Sequence, residues 1–327
     1  MTTRFALLEL IARTNLDSAT ASKLWTLAGF ERPPAGLMPA VGRGLALFGA
    51  GCAGLGLIFL VAANWGVLSR FQQFALLQSL VAVLCIGTAA IPRARAPLGL
   101  LALVAVGGLF AYFGQTYQTG ADPWQLFAIW AGVALPLALG VRADSVWTAW
   151  CVVAAAAVVL WGRPAGPFSW LFMAQPDMVQ GLAAIGLVAL TAAMSAPLRR
   201  YTGAGNWAFG MALVLAAAFV TFTGLVSLFE TGQGLYWFDL ALAGSAAVLF
   251  ACLVPFDVFA ASMVALALNI LLVAGIAMVA MPKGSASTSA LVFALLLVGL
   301  AAAGLMAGSV KVILDLSRRR VVQGEPA

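Results

Sequence analysis

The chain alternates long apolar stretches with short polar breaks over most of its length. A helix needs ~20 predominantly apolar residues to cross the hydrocarbon core of a membrane. Polar and apolar residues do not alternate within these stretches, as they would in the strands of a membrane β-barrel, so the pattern predicts helices. We predict ten membrane spans, at about 44–64, 71–91, 97–116, 124–141, 145–161, 178–197, 207–229, 235–254, 258–280 and 289–310.

The composition supports the same class of protein. Of 327 residues, 63% are hydrophobic and 9% are charged, whereas about 25% of the residues of an ordinary soluble chain are charged. Lipid accepts apolar side chains on the outside of a bundle, provided that the backbone polar groups bond within the helices. The sequence therefore predicts an all-α fold, a polytopic transmembrane helix bundle in contact with the lipid bilayer.

The basic residues predict the orientation of the spans, because loops rich in Lys and Arg stay in the cytoplasm. With ten spans both termini lie on one side, and all but three of the Lys and Arg residues fall on that side. The three exceptions are Arg70, Arg163 and Lys283. We therefore expect both termini in the cytoplasm. Topology, and not binding of nucleic acid, then explains the net charge of +6.

This division gives three regions. Residues 1–43 predict a cytoplasmic helical hairpin and linker, without the apolar segment of a cleavable signal peptide, and Asp17 is predicted to cap the second helix. Residues 44–310 predict the transmembrane bundle, and residues 311–327 a basic cytoplasmic tail. Between the fifth and sixth spans, "GRPAGPFSWLFMAQPD" mixes helix breakers with aromatic residues, which predicts an outer segment lying in the membrane interface.

The residue types that most enzymes use are rare in this chain. It has no His, and its four Cys residues lie singly in different apolar stretches, so we predict no catalytic residue and no metal site. The letters GAGCAG at 49–54 match a dinucleotide fingerprint, which requires a preceding strand and a helix that begins there. They lie instead inside a continuous apolar helix, and we therefore expect no cofactor.

Two stretches carry a family resemblance. "GLIFLVAANWGVLSRFQQFALL", followed by "GLFAYFGQTYQTGADPWQLFAIWAGVALPLA", resembles the bacterial predicted membrane proteins grouped as domain of unknown function 2157. The resemblance covers about residues 1–160 and implies a bacterial inner-membrane protein of unassigned activity. The matching positions are Asn64, Trp65, Gln115, Tyr117, Gln118, Asp122, Trp124, Leu135 and Pro136.

Four hydrogen-bonding side chains end the third apolar stretch, in "AYFGQTYQTGADPW". Gln115 and Gln118 are three residues apart and lie on one helical face at its outer end, with Tyr117 on an adjacent face. Asn64 ends the first span on the same side. We predict that these side chains together form a ligand-binding site. The alternative is an interfacial turn in which Asp122 caps the fourth span.

A second candidate is Asp239, in the first turn of the eighth span. An acid at this position is favoured by the helix dipole alone, whereas an ionisable group within a span also suggests function. Thr221, Thr223 and Ser227 lie in the outer half of the seventh span. We hypothesise that these groups and the outer amides line a polar vestibule open to the periplasm.

Asn269 is the candidate nearest the middle of the bilayer. It lies about twelve residues into the ninth span, or ~18 Å at 1.5 Å per residue. A hydrogen bond to a neighbouring helix is one role for such a side chain, and binding of a solute or ion is the other.

The sequence thus predicts a protein that binds or transports a small polar solute through an outward-facing polar vestibule. The alternative function is a non-catalytic membrane scaffold or assembly factor that binds a membrane protein partner. An enzyme ranks third, because no nucleophile is paired with a base.

Overall fold

The protein is described here from a computed structural model. It has two compact units, Met1–Cys52 and Ala53–Ala327. The structure describes residues 13, 17–28, 37–63, 65–117, 122–162, 176–229, 234–252, 257–282 and 287–322.

In the first unit, helix α1 spans Ser18–Leu27. Asp17 is its N-cap, and the Asp17 carboxylate accepts a hydrogen bond from the backbone N–H of Thr20 at 3.1 Å. Hydrogen bonds from the side chain and backbone of Thr20 hold the pKa of the Asp17 carboxyl below its ordinary value. The predicted cap is therefore present. Apart from Arg13, the first helix of the predicted hairpin lies outside the described residues.

The described residues from 37 onward are mostly helical. Within those ranges, nine helices are long and apolar enough to cross a membrane, and the pair of α7 and α8, which is bent by 57°, makes a tenth if it is counted as one span. The predicted all-α polytopic bundle is confirmed. The helices are α2 (Leu37–Ala63), α3 (Arg70–Ala90), α4 (Arg95–Tyr117), α5 (Pro123–Val141), α6 (Asp144–Trp161), α7 (Pro176–Ala193), α8 (Arg199–Thr202), α9 (Asn206–Phe229), α10 (Gly234–Cys252), α11 (Val258–Ala280) and α12 (Thr288–Val322).

The bent pair of α7 and α8 returns the chain to the end of the bundle at which α6 begins. Asp144 is the first residue of α6, and its carboxylate accepts hydrogen bonds from backbone N–H groups at the start of α9. The donors are Gly205 at 2.8 Å, Trp207 at 3.1 Å and Ala208 at 2.9 Å. Because α6 and α9 start side by side, α7 and α8 together cross the bundle and count as one span.

The sixth span ends earlier in the structure than in the prediction. The apolar pattern predicts a helix to residue 197, but α7 ends at Ala193. The ring of Pro197 would clash with the carbonyl group four residues earlier, which belongs to Ala193. A 3₁₀ turn, Ala196–Leu198, follows. The predicted interfacial segment before α7, at 163–175, lies outside the described residues.

The helices that contain the first and last predicted spans are longer than those spans. Helix α2 begins at Leu37, and α12 continues to Val322. The 35 residues of α12 extend ~52 Å at 1.5 Å per residue, well beyond a hydrocarbon core of about 30 Å. Neither Gly nor Pro interrupts residues 311–322, so the helix continues through the basic segment.

Helix α9 lies at the centre of the bundle and packs against α6, α7, α10 and α11. A large apolar core around Trp147, Cys151 and Ala212 joins it to α6. A smaller apolar cluster, which includes Tyr236 and Leu271, joins α9, α10 and α11. This smaller cluster surrounds the candidate site.

Candidate functional site

The site is built from facing residues of α9 and α10. Thr223 and Ser227 are four residues apart on α9, and Tyr236 and Asp239 are three residues apart on α10, so each pair shares a helical face. The backbone N–H of Tyr236 donates to Ser227 Oγ at 3.2 Å. This bond fixes the start of α10 against the last turns of α9.

Asp239 is enclosed completely, with 0% of its surface exposed. Its Oδ2 atom lies 2.7 Å from Thr223 Oγ. The second carboxyl oxygen, Oδ1, is buried and has no hydrogen-bond partner among the described residues. A carboxyl group with one bonded and one bare oxygen is unusual in a protein interior, where polar atoms are nearly always paired.

The Thr223 hydroxyl has three acceptors within reach, of which the Val220 carbonyl oxygen is the most distant at 3.3 Å. Besides Asp239 Oδ2, the Phe219 carbonyl oxygen lies 2.9 Å from Thr223 Oγ. A hydroxyl group donates one proton, so it can bond only one of these oxygens at a time. The direction of the Thr223–Asp239 hydrogen bond therefore depends on whether the carboxyl group carries a proton.

Helices α9 and α11 bring no charge to the site, because neither contains Asp, Glu, Lys or Arg. The titratable neighbour on α10 is Tyr236, whose hydroxyl group donates to the Leu271 carbonyl at 3.0 Å. On α7, which also packs against α10, the titratable residue is Asp177, whose side chain lies outside the described part. The described side chains thus supply no cation for Asp239.

Two glycines allow the helices to approach at the site. A Cβ atom on Gly224 would lie 2.7 Å from Leu271 Cδ2 and 3.3 Å from Asp239 Cβ. A Cβ atom on Gly275 would overlap the hydroxyl oxygen of Tyr236. Close contact at Gly224 brings Leu271 of α11 beside Asp239, and close contact at Gly275 brings α11 against Tyr236.

The other predicted outer residues lie elsewhere. Gln115 and Tyr117 are exposed near the end of α4, which packs against α3, α5 and α6, whereas α10 packs against α7, α9 and α11. The structure therefore does not bring Gln115 together with Asp239, and the enclosed Asp239 does not open into the expected vestibule. The reason is close packing around Asp239, which the apolar pattern does not reveal. Asn64 and Gln118 lie outside the described residues.

Asn269 joins two helices. Its Nδ2 atom donates to Ser309 Oγ at 3.0 Å, linking α11 to α12. The interhelical hydrogen bond considered from the sequence is therefore present. No ligand role is needed to account for this side chain.

The predicted outer end also holds a polar pair that the sequence analysis missed. The Tyr112 hydroxyl donates to Gln73 Oε1, and both residues are buried between α3 and α4. Phe74 packs against Tyr112 with ring centroids 4.7 Å apart. Gln73 stands within the quoted stretch RFQQFALL, and an amide inside an apolar helix is the signal that could have identified it.

Comparison with known proteins agrees with the resemblance. A family model described as "Predicted membrane protein (DUF2157)" matches residues 8–147. No curated protein and no solved structure matches the chain. The matched region ends within α6, so Asp239 lies outside it.

Proposed function

Starting from a chain whose N-terminal half matches a family of predicted membrane proteins, we propose that it binds and transports a small polar solute. It acts in the inner membrane of a bacterium with both termini in the cytoplasm, and it is not an enzyme. The observation that carries the proposal is the enclosed carboxyl group of Asp239, with its bare oxygen Oδ1.

The energetics of burial favour a binding role. A buried charge without a partner costs several kcal/mol, and apolar residues of similar volume are often neutral or stabilising in its place. An ionisable residue within a membrane span is for this reason a candidate functional residue. Asp239 therefore contributes something other than stability to the bundle.

The chemistry of the site favours a solute that carries a positive charge. An ammonium or guanidinium group would compensate the Asp239 charge and donate to the bare oxygen. Asp239 lies five residues beyond Gly234, about 8 Å along α10, so the site is closest to the predicted outer surface. In this proposal, an occluded step of the transport cycle would leave Asp239 enclosed.

A thermal-stability screen tests this proposal. The full-length protein in detergent is heated with guanidinium, choline, lysine, arginine and spermidine, and with glucose as a neutral compound. A solute at about 100 times its Kd stabilises the folded state by about 2.7 kcal/mol. The compound that raises the unfolding temperature is then tested for uptake into liposomes that contain the protein.

Matched variants identify the site. Asp239→Asn should abolish the stabilisation, whereas Asp257→Asn should preserve it. The Asp257 carboxylate accepts from the backbone N–H of Phe259 at 2.8 Å at the exposed start of α11, and Asn also caps helices well. Stabilisation that persists in Asp239→Asn, or no stabilisation by any of the cationic compounds, would contradict the proposal.

One observation favours the alternative role of a scaffold. Val312 and Leu314 of α12 are 54% and 48% exposed, although they follow the predicted end of the membrane span. Apolar side chains outside the membrane are suited to a protein partner. A partner that co-purifies in fixed ratio, and is lost in Leu314→Glu but not in Asp239→Asn, would support this role.

A further inference from the structure

We propose that Asp239 is a reversible proton-binding site, and that its proton leaves when the positively charged solute binds. The proton site stands on the geometry around Thr223. The exchange for a solute rests on the proposed function.

The same heavy-atom positions suit both forms of Asp239. In the charged form, the Thr223 hydroxyl donates to Asp239 Oδ2 across the 2.7 Å contact. In the neutral form, Asp239 donates its proton to Thr223 Oγ, and the Thr223 hydroxyl donates to the Phe219 carbonyl at 2.9 Å. The hydroxyl group therefore switches its acceptor as the proton binds or leaves, without movement of a helix.

The charge balance around the site favours the neutral form while no solute is bound. Helices α9 and α11 contain no charged residue, and Tyr236 directs its proton to the Leu271 carbonyl. A proton or a bound cation is then what removes the cost of the buried carboxylate.

The oxygen atoms near Asp239 are better suited to a proton than to a metal ion. Hard cations such as Ca²⁺ take 6–8 oxygen ligands. Among the described residues, no group of three or more His, Cys, Asp or Glu side chains could hold a metal ion. A single proton needs no such shell of ligands.

The exchange balances in atoms and charge. A solute with one positive charge enters and pairs with the carboxylate, and the Asp239 proton passes to water. The net charge of the site stays at zero before and after. Below the midpoint of the titration, solute affinity should therefore fall about tenfold for each unit of decrease in pH.

Dicyclohexylcarbodiimide provides a direct probe of the proton. This apolar reagent adds to protonated carboxyl groups in apolar surroundings, and peptide mass spectrometry locates the adduct. The full-length protein in liposomes should be labelled at Asp239, with labelling that is lost as the pH rises. Exposed Asp257 and Asp315 should stay unlabelled and serve as internal controls.

Variants of Thr223 separate a proton site from a structural role. Thr223→Val removes the hydroxyl group at nearly constant volume and should shift the pH midpoint of labelling. Thr223→Ser keeps the hydroxyl group and should restore the wild-type midpoint. A role in packing alone predicts one midpoint for all three proteins.

Sodium and infrared measurements complete the test. Sodium chloride at constant pH should leave the labelling unchanged, because a proton site does not depend on sodium.

In infrared difference spectra, the carbonyl-stretch band of a protonated carboxyl group should change with pH in the wild type and be absent in Asp239→Asn. Protection by sodium, or a pH-independent infrared signal at Asp239, would overturn the proposal. If Asp239 is labelled in a pH-dependent way but no solute binds, the proton site is supported and the transport proposal is refuted.

Discussion

Gly275 controls how closely α11 approaches Tyr236. A Cβ atom at this position would overlap the Tyr236 hydroxyl oxygen, and Tyr236 is only 3% exposed. Overpacking of this kind typically costs about 1–3 kcal/mol. We predict that Gly275→Ala lowers the free energy of unfolding by that amount, measured by thermal exposure of the buried Cys151 thiol.

Two comparisons test the cause of this loss. Gly244 lies within α10 and has no atom within 4 Å of an added Cβ, so Gly244→Ala should stabilise the protein by about 0.5–1 kcal/mol. The double variant Gly275→Ala with Tyr236→Phe removes the colliding oxygen and should lose less stability than the sum of the single variants. Additive losses would contradict the contact.

At the residue scale, the sequence identifies Asp239 but not its enclosure. An acid near the start of a predicted span is visible in the printed letters, as are Thr223 and Ser227 on the neighbouring helix, although Asp239 lies beyond the first turn of α10 in the structure. Enclosure depends on Gly224 and Gly275, which bring α9, α10 and α11 together. Helix pairing is a tertiary property that one sequence does not display, so the sequence alone predicts Gln115 in the same vestibule.

At the element scale, Asp144 of helix α6 caps the N-terminus of a different helix, α9. It begins α6 but accepts hydrogen bonds from three backbone N–H groups around the start of α9. Its sequence separation from Gly205 is 61 residues. The sequence predicts a local role for such a residue, which explains why the longer-range bond escaped prediction, although both helices were correctly placed.

Removal of this cap should destabilise the bundle. We predict that Asp144→Ala costs about 2 kcal/mol, the upper range for an N-cap, because three donors lose one charged acceptor. Asp122→Ala is the matched control, since Asp122 precedes α5 but makes no side-chain capping bond. Thermal unfolding of both variants gives the comparison, and equal losses would show that the bonds of Asp144 add nothing.

At the scale of the whole molecule, the distribution of Lys and Arg predicts which end of the bundle faces the cytoplasm. Contacts between loops show which loops lie at the same end. The predicted cytoplasmic loops contain Arg142 and Arg200, and the Arg142 side chain donates to the Arg200 carbonyl oxygen. The pairing supports ten spans, with α7 and α8 counted as one. Contacts within the bundle are the same for either orientation, so the choice between the two rests on the distribution of Lys and Arg.

Labelling of single cysteines tests that choice. We predict that a membrane-impermeant maleimide labels Val67→Cys in intact cells, and labels Tyr201→Cys only after the membrane is opened. Both positions are exposed, at 88% and 61%, and five spans separate them, counting the bent pair as one. The four native cysteines are replaced by Ala in both variants, and unchanged thermal unfolding serves as the control for folding. The reverse pattern would place Asp239 near the cytoplasmic surface, so that solute would reach the carboxyl group from inside the cell.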